Sequence, residues 1–317
     1  MKLTSSELTV LKYLVTHENG SVAQAASALG LKVPQISKAL ATLSSKGLIY
    51  SQRQGKSKRI KLADTKHALL FRSMSLQLSH MKLASLLSGA SLEVLSVLCF
   101  MQPRNRQEIA RRSMVSEAWV ARILTSLKRV GVAIKTDSHY AVSPRFQILA
   151  NFVTEFRRYL NQRLARSFFE DAVVVWERNN EFIIEASKGG QEQRDFRLTG
   201  PSAFGRFGIV LFIPTSYYYH SPSVRELELE DLIIHSLLLP KSERITLATL
   251  MVWKKNEKSI RDSYLLQKAE EYGVKKRADE MNRYLATGGR ECTRELPSWE
   301  EFMFKAEEYG NKKDGGY

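Results

Sequence analysis

The sequence predicts a mainly α chain with small β elements, in which one unit of three helices and a hairpin occurs twice and an α+β domain follows. Three observations carry this expectation. First, the apolar skeleton of the first segment recurs after 84 residues. Leu8, Leu11 and Leu14 align with Leu92, Leu95 and Leu98, Ala26 with Ala110, Ile36 with Val120, Leu40 with Leu124, Leu43 with Leu127, and Gly47 with Gly131. Second, charge divides along the chain. Residues 1–168 hold 26 Lys/Arg against 8 Asp/Glu, and residues 169–317 hold 22 against 25, so the net +15 originates in the first half. Such asymmetry points to a polyanionic partner for that half. Third, from residue 171 the composition turns β-branched and aromatic, as in "DAVVVWERNNEFIIEAS".

In the first copy a helix is expected over 5–17, ended by His-Glu-Asn-Gly. Ser21 then caps a short helix, "SVAQAASALG", which Gly30 breaks. The third helix, "VPQISKALATLSSKG", tolerates Pro34 because the first turn has no intrahelical acceptor for its missing N–H. "LIY" and "RIKLA" flank a Gly-containing basic tip as two short strands. Helix, helix, turn, helix and hairpin is the order of a winged helix-turn-helix. The expected layout is two tandem winged helix-turn-helix domains, 1–64 and 90–144, joined by a linker helix over 65–89. An amphipathic helix over 145–169 connects them to an α+β C-terminal domain over 170–317.

Residues 5–64 resemble the winged helix-turn-helix of MarR-like and related prokaryotic, archaeal-type regulators. The resemblance is carried by the passage "ALATLSSKGLIYSQRQGKSKRIKLAD", and residues 90–144 resemble a second, degenerate copy. It implies a third helix in the major groove of DNA and a wing on the backbone or in the minor groove. With Ile36, Leu40 and Leu43 facing inward, the helix presents Lys32, Gln35, Ser37, Lys38 and Thr42 outward. Gln35 suits an adenine edge, Lys38 a guanine or a phosphate, and Ser37 either. The wing cations Arg53, Lys56, Lys58, Arg59 and Lys61 suit phosphates, which give affinity and salt dependence without sequence information.

The second copy departs from this pattern. Its wing, "VAIKTDSHYAVSP", opposes one lysine with Asp137, so a weak electrostatic grip is expected. Trp119 stands where the first copy has Gln35, and Arg122 where it has Lys38. Arg104, Arg106, Arg111 and Arg112 crowd the entry to its middle helix. With Trp119 and Arg122 they are the candidates for a secondary DNA contact, though Trp119 reads more readily as a packing or interface residue than as one stacked on a base or sugar. The helix over 145–169 suits either a homodimer contact or packing on the C-terminal domain.

In the C-terminal half a hairpin is expected around Arg-Asn-Asn at 178–180, and a strand over "GIVLFIPTSYYY". Helices are expected over 224–240, 242–255, 260–273, 274–289 and 298–310. Alternation is expected to bury some of Tyr217, Tyr218 and Tyr219 and expose others. Neither a phosphate-binding Gly-x-x-x-x-Gly-Lys loop nor a Gly-x-Ser-x-Gly elbow occurs. "EASK" at 185–188 is one residue too long for a nuclease Glu-x-Lys. Glu230, Asp231 and His235 lie a turn apart, as a metal site requires, yet "LEDLIIHSLLL" reads better as a core helix with a hydrogen-bonded histidine. The run from 198 to 238 loosely resembles the C-terminal module of abortive-infection antitoxin-type regulators, which implies a protein partner.

The expected function is that of a sequence-specific, double-stranded DNA-binding transcriptional regulator rather than an enzyme. Its C-terminal domain would sense a small-molecule ligand, bind a protein partner or extend a dimer. The alternatives are an autoregulatory antitoxin-like protein and a nucleic-acid-processing enzyme. No cofactor, metal or membrane partner is expected. With two cysteines, no apolar run of about 18 residues and no signal-like N-terminus, the expected location is cytoplasmic.

Overall fold

The computed structural model describes residues 2–17, 20–54, 57–100, 104–187, 195–223, 226–291 and 295–310. The chain is mainly helical with small sheets and divides into two compact units, Met1–Arg163 and Leu164–Tyr317. Among the described residues no helix is long and apolar enough to cross a membrane.

Unit 1 begins with α1 (Ser5–Thr16), β1 (Gly20–Ser21), α2 (Val22–Leu29) and α3 (Val33–Ser45), then β2 (Ile49–Gln54) and β3 (Ser57–Leu62). Capping boxes fix the starts of the first two helices: Thr4 with Glu7, and Ser21 with Gln24. The α2–α3 turn passes through Gly30 at φ +63. The strands form an antiparallel sheet in the order β1-β3-β2.

After α4 (Lys66–Gln77) and α5 (Leu83–Leu87) the arrangement recurs as α6 (Ala90–Phe100), α7 (Arg106–Ser113), α8 (Glu117–Arg129), β4 (Ala133–Thr136) and β5 (His139–Val142). The bounds of α7 and α8 are those of α2 and α3 shifted by 84 residues. Gly30 and Met114 share a left-handed backbone, as do Gly47 and Gly131. The hairpin is the exception. Gly20 pairs with Ile60, 40 residues on, whereas its counterpart Arg104 pairs with Tyr140, only 36 on. The second ribbon is therefore four residues shorter at its tip.

Residues 65–89 form two helices, not the one the sequence suggests. A continuous helix running on from Phe71, Ser75 and Leu78 would turn Lys82 and Ser85 inward. The break over 78–82 resets the phase, so that Leu83, Leu86 and Leu87 are buried and Lys82 and Ser85 stay exposed. One continuous apolar core spans both repeats, α4, α5 and the start of α9 (Gln147–Phe168), which contributes Leu149, Phe152, Val153 and Phe156. The unit boundary falls inside α9.

Unit 2 holds β6 (Val173–Arg178), β7 (Glu181–Ala186), β8 (Phe196–Leu198) and β9 (Ser216–His220) in an antiparallel sheet ordered β6-β7-β9-β8. Asn179, at φ +59, turns the β6–β7 hairpin. The helices α10 (Leu229–Leu238), α11 (Glu243–Lys255), α12 (Asp262–Glu271), α13 (Lys275–Thr287) and α14 (Trp299–Gly310) follow. Two sequence expectations are corrected. The strand expected over 208–219 starts only at Ser216. Pro214 has no N–H for a ladder, and Phe212 before it is 81% exposed. Tyr217, Tyr218 and Tyr219 are all buried, because β9 is an inner strand covered on both faces. Tyr218 packs with Phe169, Phe182 and Phe196 on one side, Tyr217 and Tyr219 with Ile183 and Ile245 on the other.

Candidate nucleic-acid interface

Helix α3 buries Ile36, Ala39, Leu40 and Leu43, and this turns Gln35, Ser37, Lys38 and Thr42 outward, with Lys32 exposed at the N-cap. Two of these polar groups are engaged on the helix itself. Gln35 Oε1 accepts the Lys32 backbone N–H at 3.0 Å, and Thr42 Oγ1 donates to the Lys38 carbonyl at 2.7 Å. To read an adenine edge with both amide atoms, Gln35 must release that cap.

The C-terminal end of α3 is gripped from two sides. Glu7 on α1 holds Lys46 Nζ at 2.6 Å through Oε1. His67 on α4 donates from Nε2 to the Lys46 carbonyl at 3.0 Å. Burial between Phe156 and Tyr159 pushes the His67 pKa below the ordinary histidine value. Thr65 Oγ1 donates to the next carbonyl, that of Gly47, at 2.8 Å.

The first ribbon sets Arg53 opposite Lys58, Gln52 opposite Arg59 and Tyr50 opposite Lys61. Opposed residues share a face, so the cations lie on both sides of the ribbon: Arg53 and Lys58 on one, Arg59 and Lys61 on the other. Lys61 is partly engaged, 3.4 Å from Asp64 Oδ2 and over the Tyr50 ring. Arg53, Lys58 and Arg59 are exposed and form no ion pair among the described residues. Lys56 lies outside the described residues, as does Gly55.

The same surface of the second repeat is different. The outward stripe Gln35, Lys38, Thr42, Lys46 is replaced by Trp119, Arg122, Ser126, Val130. Trp119 is 47% exposed, with the Arg122 guanidinium 5.5 Å from its ring centre. Of the clustered arginines, Arg104, Arg106 and Arg112 are held by acids of the same repeat. Arg104 Nη1 lies 3.1 Å and Arg112 Nε 3.4 Å from Glu108 Oε1, and Arg106 Nε lies 2.8 Å from Glu117 Oε1. Arg112 is 8% exposed, whereas Arg111 faces solvent. Sequence reasoning missed these acids, although Arg104, Glu108 and Arg112 stand at i, i+4, i+8, the spacing of helical ion pairs.

In unit 2, Glu230, Asp231 and His235 each have a separate partner. Glu230 Oε1 accepts from Arg261 N and Nε at 2.9 and 3.0 Å, and Asp231 Oδ1 lies 3.2 Å from Lys268 Nζ. His235 Nδ1 shares a 2.7 Å hydrogen bond with Thr199 Oγ1. Full burial, with Lys268 and Arg178 nearby, pushes its pKa down to about 3, so the ring is neutral. Among the described residues no group of three His, Cys, Asp or Glu is arranged to hold a metal ion. Glu185 accepts from Thr215 Oγ1 at 2.8 Å, and Lys188 lies outside the described residues. A cluster that the sequence did not reveal centres on Arg178. It stacks 4.0 Å from the Tyr272 ring centre and binds Glu181 Oε2 at 2.6 Å.

Comparison with known proteins divides the chain in a similar way. Residues 2–65 match the family described as HVO_A0114, a segment that ends at the start of α4. Residues 193–311 match the family described as HVO_2833_C, C-terminal, and lie wholly within unit 2. No curated protein matches the chain.

Proposed function

We propose that the chain is a sequence-specific, double-stranded DNA-binding transcriptional regulator whose first repeat acts as a winged helix-turn-helix. In this reading α3 lies in the major groove, and the β2–β3 ribbon follows the phosphate backbone. The observation that carries it is the cross-strand pair Arg53–Lys58. Like charges directly opposite one another destabilise a ribbon, and no described acid neutralises this pair. A polyanion supplies the missing counter-charge, and the ribbon stands next in the chain to a helix whose outer face is polar and exposed.

The test is selection of bound duplexes from a random pool by the full chain, followed by titrations at several salt concentrations. The expected result is an enriched motif and an affinity falling linearly with salt on logarithmic axes. Gln35→Ala is expected to relax preference at one base position by about 1–3 kcal/mol. A pool without enrichment, bound with an affinity indifferent to salt, overturns the reading.

A further inference from the structure

A cavity of about 500 Å³ opens in unit 1 between α1 and the segment joining α4 to α5. Its floor is apolar and buried, made by Leu8, Phe71 and Leu83. At its mouth stand the exposed side chains of Lys12, His80 and Lys82. Among the described residues no carboxylate lines it, and none of these three basic groups forms an ion pair. A cavity of this size accepts a small organic molecule. Its lining chemistry asks for an apolar body carrying a negative head, the basic mouth supplying charge-assisted hydrogen bonds.

Both walls of the cavity meet at one residue outside it. Glu7, which holds Lys46 Nζ, directly precedes Leu8 on α1. His67, which holds the Lys46 carbonyl, lies one turn before Phe71 on α4. Lys46 closes α3. A molecule that alters the spacing of α1 and α4 therefore acts on the end of α3 from both sides.

We propose that this cavity binds a small amphiphilic anion, a carboxylate on an apolar chain or ring, and that its occupancy is transmitted through Glu7 and His67 to α3. The effect on DNA rests on the function proposed above, whereas the binding itself does not.

The test uses decanoate, octanoate and decanol in calorimetric titrations of the full chain without DNA. Decanoate is expected to bind once per chain, about tenfold tighter than octanoate for its two extra methylenes. Decanol, with no charge, is expected to bind at least tenfold more weakly than decanoate. The double variant Lys12→Glu, Lys82→Glu changes only exposed side chains and is expected to lose decanoate at least tenfold with an unchanged circular dichroism spectrum. Ala84→Trp, which fills the cavity, is expected to abolish binding. No binding of decanoate, or binding untouched by these variants, overturns the site. Saturating decanoate is expected to change DNA affinity about fivefold or more. Glu7→Gln is expected to remove that change while leaving decanoate binding intact. DNA affinity unmoved by decanoate overturns the coupling. Absence of DNA binding altogether overturns the DNA reading and leaves the anion site standing.

Discussion

The two repeats of unit 1 keep the same helices at the same spacing and differ in what those helices offer to solvent. The first has a polar α3 face and a six-residue-stranded ribbon on which Arg53, Lys58 and Arg59 form no ion pair among the described residues. The second has Trp119 and Val130 in place of Gln35 and Lys46, a ribbon shortened by four residues, and arginines paired to Glu108 and Glu117. What has been kept is what the shared core needs: Val120, Leu124 and Leu127 are as buried as Ile36, Leu40 and Leu43. What differs is the charge and length of the parts that meet solvent. The two repeats share their packing and diverge on their outer faces.

The largest expected effect separates the repeats by charge. Arg53→Ala, Lys58→Ala and Arg59→Ala together are expected to weaken DNA binding about a hundredfold near 0.1 M salt and to lower the salt slope by about 0.9 per lost phosphate contact. Arg111→Ala with Arg122→Ala in the second repeat is expected to change affinity by no more than about threefold. Fluorescence anisotropy across a salt series checks both. Equal losses would put both repeats on DNA and end the contrast.

The next effect concerns stability. Gly47 and Gly131 occupy equivalent left-handed positions, φ +64 and φ +75. A Cβ at Gly47 would stand 2.3 Å from Tyr159 Cζ, whereas at Gly131 the nearest atom is Phe146 Cε2 at 3.9 Å. Gly131→Ala therefore meets only backbone strain, about 1 kcal/mol. Gly47→Ala adds a clash with a packed aromatic ring and is expected to cost about 3 kcal/mol. Urea unfolding of the two variants gives the comparison directly. Similar costs would mean that α9 does not clamp the first repeat more tightly than the second.

Much of this was legible in the sequence because it depends on local spacing. The 84-residue offset aligns Ile36 with Val120 and Leu43 with Leu127, and period-3.6 apolar positions place the α2, α3, α7 and α8 helices without any tertiary knowledge. The outward placement of Gln35, Lys38 and Trp119 follows from the same periodicity. What was not legible depends on contacts distant in sequence. Nothing near β9 reveals that covers on both faces bury Tyr218 and its neighbours Tyr217 and Tyr219 alike. Nothing local tells that Lys46 is held by Glu7 and His67 at once. The fusion of both repeats into one core is likewise a property of α4, α5 and α9 packing together, and the linker's change of helical phase only hints at it.

The smallest expected effect tests the turn on which both repeats depend. The second helix of each ends in a left-handed residue, and the next N–H returns to the same carbonyl: Leu31 to Ala26 and Val115 to Ala110. The first repeat uses Gly30 there, at φ +63. The second uses Met114 at φ +55, with its side chain 67% exposed. An L side chain in this conformation is strained by about 1–2 kcal/mol, part of which glycine would give back through the greater freedom of its unfolded chain. An exposed methionine supplies little packing to offset the strain. Met114→Gly is therefore expected to stabilise the chain by about 0.5–1 kcal/mol, and Gly30→Met to destabilise it by a similar amount. If thermal unfolding instead shows Met114→Gly to be destabilising, the exposed thioether is engaged in a contact that the isolated chain does not make. The second repeat's outer face would then be an occupied surface.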